Sequence, residues 1–202
     1  MGQDHSTRQI RWATPFCLIG ICALLGAVLG AATNVTNSIV SPYYFRVVLW
    51  LWPVSDVRPY AIVQGAREGA ALGLFFGLVF AAATAWTSRM RARARWALDV
   101  VPWVFVIVLA CWAAGGIVSV ALAAAFPGFY QSAFLMVPAQ AGERLRYAWV
   151  GGSIWGAYVG TLVAAIAGCV MIRRRWVRTT SATPGYEVRM NPTPPRRVAG
   201  LQ

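Results

Sequence analysis

The chain has 202 residues, of which 58% are hydrophobic and only 12% charged, and its mean hydropathy of +0.57 is too high for an ordinary soluble domain. Its 18 basic residues, all arginine, outnumber the six acidic ones and give a formal charge of +12, a balance that would suggest nucleic acid for a soluble protein. Here the arginines flank long apolar runs, so the expected partner is a lipid bilayer and no nucleic acid.

Residues 1–14 read as a tail carrying Arg8 and Arg11. The opening Met1-Gly2 with Ser6 fits a myristoylation pattern, and Asn34-Val35-Thr36 is a glycosylation sequon. Both need eukaryotic enzymes, whereas all-arginine usage suits a GC-rich bacterial gene, so neither is given a role. A first apolar run covers about 15–33; a bilayer core about 30 Å thick needs about 20 such residues. It is long for a secretory signal and no convincing Ala-x-Ala site closes it, so it reads as a mature span.

At the outer end of this span Asn34, Asn37 and Ser41 share a face by their spacing of three and four. An aromatic segment follows, from Pro42 to Pro53. Ten residues between prolines cannot cross the core, and tyrosine and tryptophan favour the headgroup level. A short interfacial helix is expected, either an anchor or a lid over a pocket.

The second span covers about 66–86 and opens on Gln64 and Glu68, one turn apart. With Asn34, Asn37 and Ser41 these could form one polar cluster, read either as a solvated helix end or as a ligand site. Gly65, Gly69, Gly73 and Gly77 recur every four residues on one face of this span. Glycine costs about 1 kcal/mol relative to alanine in a helix, and in lipid small-x-x-x-small faces let helices approach closely. The fourth span repeats the pattern with Gly152, Gly156 and Gly160, and Gly26 and Gly30 give the first span a shorter face. Packing of the second span against the fourth is one reading of these glycine faces; a homo-oligomer interface is the other.

Arg89, Arg91, Arg93 and Arg95 join the second span to a third over about 100–125. A second aromatic segment, Pro127 to Pro138, leads to the fourth span, about 148–172. Residues 173–202 form a basic tail with Pro184, Pro192, Pro194 and Pro195, expected to be disordered. The arginine bias places both termini and the 87–99 loop in the cytoplasm of a bacterial inner-membrane protein, with anionic lipid headgroups as partners at that face.

The halves also match. Gly30, Pro42 and Pro53 correspond to Gly115, Pro127 and Pro138 at an offset of 85 (115 − 30, 127 − 42 and 138 − 53). The repeats cover about 11–86 and 95–172. Two spans per copy keep both copies in one orientation, so their symmetry axis runs along the membrane normal. The expected fold is therefore all-α: four transmembrane helices as two parallel-repeat helical hairpins, occupying 15–172, with short interfacial helices in the two outer loops. The polar cluster belongs to one copy, because its counterparts are Ser119, Leu122, Phe126, Tyr147 and Gly151.

No catalytic inventory is visible. The absence of lysine excludes a P-loop or Schiff-base site, the single histidine, His5, lies in the tail, and Cys17, Cys22, Cys111 and Cys169 fall inside spans without metal-ligand spacing. No enzyme activity, cofactor or metal is expected.

The stretches from Ser41 to Phe45, Ile62 to Gly73 and Arg146 to Gly156 resemble a family of uncharacterised bacterial four-span membrane proteins. The resemblance covers about residues 12–172. It implies the four-span fold and a role for Gln64 and Glu68, and no activity. The functional expectation is a non-enzymatic scaffold or accessory subunit assembled through glycine faces with itself or a membrane-complex partner. The alternative is a small channel or transport component working as an oligomer.

Overall fold

The computed structural model describes residues 13–88 and 97–181. Arg8, Arg11, the arginines from Arg89 to Arg95 and the proline-rich tail beyond 181 lie outside them.

Six helices make up the described chain: α1 (Ala13–Val40), α2 (Pro42–Val48), α3 (Arg58–Ser88), α4 (Val101–Ala125), α5 (Pro127–Ala133) and α6 (Ala141–Ser181). No strand occurs among the described residues. By length and composition α1, α3, α4 and α6 can each cross a membrane.

Prolines and caps set the helix starts. α1 stops before Pro42, since the residue preceding proline is pushed out of the helical region. Ser41 then caps α2, its Oγ accepting the Tyr44 N–H at 3.3 Å, with Pro42 in the first turn. Asp56 Oδ1 accepts the Arg58 N–H at 3.1 Å where α3 begins, and Pro127 starts α5.

Helix ends differ from the span limits read from hydropathy. α1 runs on through Asn34 and Asn37, and α6 extends from Ala141 to Ser181, beyond the 172 boundary expected for the transmembrane part. Arg173, Arg174, Arg175 and Arg178 therefore sit on the last turns of a 41-residue helix, which at 1.5 Å per residue is about 60 Å long, twice the bilayer core. Polarity marks where a helix leaves the apolar layer; arginine, a good helix former, does not stop it.

The glycines bring backbones together. A Cβ on Gly26 would collide with the Gly69 carbonyl oxygen, one on Gly30 with that of Gly65, and one on Gly73 with that of Cys22. One on Gly77 would lie 2.6 Å from the Ile19 Cα. On the other side, a Cβ on Gly115 would sit 2.7 Å from the Gly156 Cα, and one on Gly160 would lie 2.6 Å from the Cys111 Cβ. This corrects the expectation that the second and fourth spans present their glycines to each other: α3 turns its glycines to α1, and α6 turns its own to α4. Each row meets mostly small residues on the preceding long helix, which allows the backbone approach; α3 and α6 touch through larger groups, such as Phe80 against Gly168.

Apolar clusters close both ends. Leu18, Phe76, Phe80, Val104 and Ile172 pack at one end; Val47, Tyr130 and Tyr147 pack at the other, beside Phe45, Val57 and Val150. The short helices α2 and α5 turn aromatic faces inward, with Phe45 and Tyr130 buried. Trp50 and Trp52 stay exposed, at the level where tryptophan favours the headgroups. Leu24, Ile117, Leu162 and Ile166 point outward along the long helices, as a lipid-facing surface requires.

Candidate functional site

The four long helices line a partly open cavity of about 100 Å³, which reaches Phe76, Phe80 and Val104 of the first apolar cluster. Its wall is mostly apolar, with Asn34, Asn37, Glu68, Trp112, Tyr158 and Thr161 supplying polar groups.

Asn34 and Asn37 come from the last turns of α1, where the helix continues past the apolar run. The Asn34 amide donates to the Ala61 carbonyl at 3.0 Å, tying α1 to α3. Asn37 is fully buried, and its side-chain amide lies 3.2 Å from Ser153 Oγ, tying α1 to α6, while the Ser153 hydroxyl also meets the Val150 carbonyl at 3.0 Å. The Asn37 Nδ2 has no hydrogen-bond partner, although a buried unpaired donor costs about 1–3 kcal/mol. Thr33 and Ser38 on the same turns spend their hydroxyls on carbonyls of α1 itself.

Glu68 is half-buried on α3. One turn earlier Gln64 donates to its Oε1 at 2.9 Å, and from α6 the Tyr158 hydroxyl donates to Oε2 at 3.1 Å. A carboxylate accepts about four hydrogen bonds, so each oxygen keeps capacity. No arginine or histidine is among the residues lining the cavity.

The five residues expected to cluster thus divide. Asn34, Asn37 and Glu68 line the cavity; Gln64 stands behind Glu68 and orients it; Ser41 caps α2. Sequence reasoning missed Ser153, Tyr158, Trp112 and Thr161. Ser153, Tyr158 and Thr161 were visible as polar groups inside an apolar run, but comparing only repeat-equivalent positions passed over them. Nothing in the sequence marked Trp112.

A wider groove of about 780 Å³ opens between α4, α5 and α6. It is larger but chemically poorer: the Ser119 and Tyr130 hydroxyls bond each other at 3.0 Å, Tyr147 donates to the Leu135 carbonyl at 2.7 Å, and no carboxylate lines it. On the short helices α2 and α5, burial pushes the Tyr44 and Tyr130 phenols up, the latter partly offset by the Ser119 hydrogen bond. Among the described residues no three of His, Cys, Asp and Glu are placed to hold a metal ion.

Comparison with protein-family models, curated proteins and solved structures finds no match for this chain, so the resemblance to four-span proteins rests on the quoted stretches alone. Four apolar helices make it a multi-pass membrane protein.

Proposed function

We propose that the protein binds a small solute between its four spans and serves as a channel or transport component of the bacterial inner membrane, without enzymatic activity. One observation carries this reading: Glu68, held by Gln64 and Tyr158, lines a cavity between the spans whose wall also includes the fully buried Asn37. Polar and ionisable groups within a membrane are costly, and they mark substrate or ion pathways.

A duplicated, glycine-zipper architecture fits the same reading. Gly30 beside Gly69 and Gly26 beside Gly73 have counterparts in Gly115 beside Gly152 and Cys111 beside Gly156. Trp50 and Met136, at φ 55° and 47°, turn the chain three residues before Pro53 and two before Pro138. Two such helical hairpins meeting along α3 and α6 would leave the cavity at their seam. A scaffold held to partners by glycine faces has less support, because α1 and α4 of the same chain occupy those faces. The arginine bias supports cytoplasmic termini and contact with anionic headgroups.

The test is flux in reconstituted liposomes, over a panel of ions and small solutes of both charge signs and none. Saturable flux of at least one is expected, reduced in Glu68→Gln. Flux equal to protein-free liposomes for every member overturns the reading.

A further inference from the structure

We propose that the solute held in the cavity is a small organic ammonium ion, with Glu68 as its counter-charge; this inference rests on the solute-binding reading above.

Charge comes first. A half-buried carboxylate in a largely apolar wall is favoured by a compensating cation, and no basic side chain lines this cavity. The partners that Glu68 has, Gln64 and Tyr158, are neutral donors, one on each oxygen. They fix the carboxylate and leave lone pairs for a third donor. An ammonium N–H supplies both that hydrogen bond and the missing charge.

The rest of the wall selects an organic cation over a bare metal ion. Hard cations take about six to eight oxygen ligands, whereas beyond Thr33, Asn34, Asn37 and Thr161 the wall is mostly carbon, with Phe76, Phe105, Leu72 and Val108. Trp112 and Tyr158 add aromatic rings, whose faces attract ammonium groups. The volume of about 100 Å³, in a pocket open on one side, suits a small ion better than a large one. Beside Glu68, the same wall includes the buried Asn37, whose Nδ2 has no hydrogen-bond partner.

The probes are tert-butylammonium, its neutral isostere tert-butanol, and the anion pivalate, each with one sharp methyl resonance. Binding is read by saturation-transfer NMR on the full chain in lipid nanodiscs, against empty nanodiscs. The expected result is saturable binding of tert-butylammonium alone, weakened more than about tenfold in Glu68→Gln, a loss of about 1.4 kcal/mol. Glu68→Asp, which keeps the charge, should recover part of it. Ala157→Leu, which narrows the cavity at a lining position whose side chain makes no hydrogen bond, should also lose binding, and thermal unfolding verifies that each variant is folded.

Equal binding of tert-butanol, or binding of tert-butylammonium unchanged in Glu68→Gln, overturns the ammonium assignment. So does absence of tert-butylammonium binding by wild type. In any of these cases, saturable flux of another solute in the liposome panel leaves the solute-binding reading standing. No binding and no flux removes both.

Discussion

Tyr158 is the side chain that ties Glu68 to the second half of the chain. Tyr158→Phe should cost about 1–2 kcal/mol, the usual range for losing a hydrogen bond to a charged or neutral acceptor, and thermal unfolding in detergent would show it. A Phe variant as stable as wild type means the contact contributes nothing. The buried phenols Tyr44 and Tyr130 make a second prediction. Burial raises both above their ordinary value, so the unfolded chain loses its phenolic protons near pH 10 while the folded chain keeps them. Their contribution is complete below about pH 10 and is lost as pH climbs toward their folded values. Denaturant midpoints should fall across that alkaline range, and Tyr130→Phe should flatten the slope. Legibility at this scale was partial. Spacing brought Asn34, Asn37 and Glu68 to one place, because each lies near the outer end of its helix. Tyr158 could not be assigned from its neighbours, since its partner lies 90 residues away and a tyrosine within an apolar run is equally at home as packing.

Paired glycines distinguish structural from incidental positions on the helices. A methyl added at Gly69 would run into the Gly26 backbone, whereas one added at Gly20 meets nothing within 4 Å. Gly69→Ala should therefore destabilise by about 1–3 kcal/mol, as overpacking does, and Gly20→Ala should be neutral or stabilise by up to about 1 kcal/mol. Detergent melting curves of the two variants compare identical chemistry at two sites; equal shifts would mean that the α1–α3 contact is not close. A period of four revealed which faces are bare, but it could not name their partners. The choice depended on Gly26, Gly30, Cys111 and Gly115 offering matching gaps on the preceding helices, a relation between elements. Helix limits were blurred for another reason: hydropathy reports the apolar layer, whereas the hydrogen-bonded helix α6 continues through Arg173–Arg178.

For the whole molecule, four spans were legible because a bilayer imposes length and apolarity on every crossing segment. The cavity was not, since it arises where two closely packed helix pairs meet and leave a gap. Reporter fusions at residues 92 and 202 should be active only as cytoplasmic reporters, and periplasmic activity at either would reverse the orientation. The most direct test of the central claim, an accessible cavity at Glu68, is thiol labelling in a chain whose four free cysteines are replaced by alanine. Ala157 lines the cavity, while Leu162, 60% exposed, faces outward to lipid. A thiol reacts as its thiolate, which lipid disfavours. In liposomes Ala157→Cys should react with the cationic 2-aminoethyl methanethiosulfonate, faster than with its anionic sulfonate counterpart, and Leu162→Cys should stay unmodified. An Ala157→Cys thiol as inert as the one at 162 would contradict it.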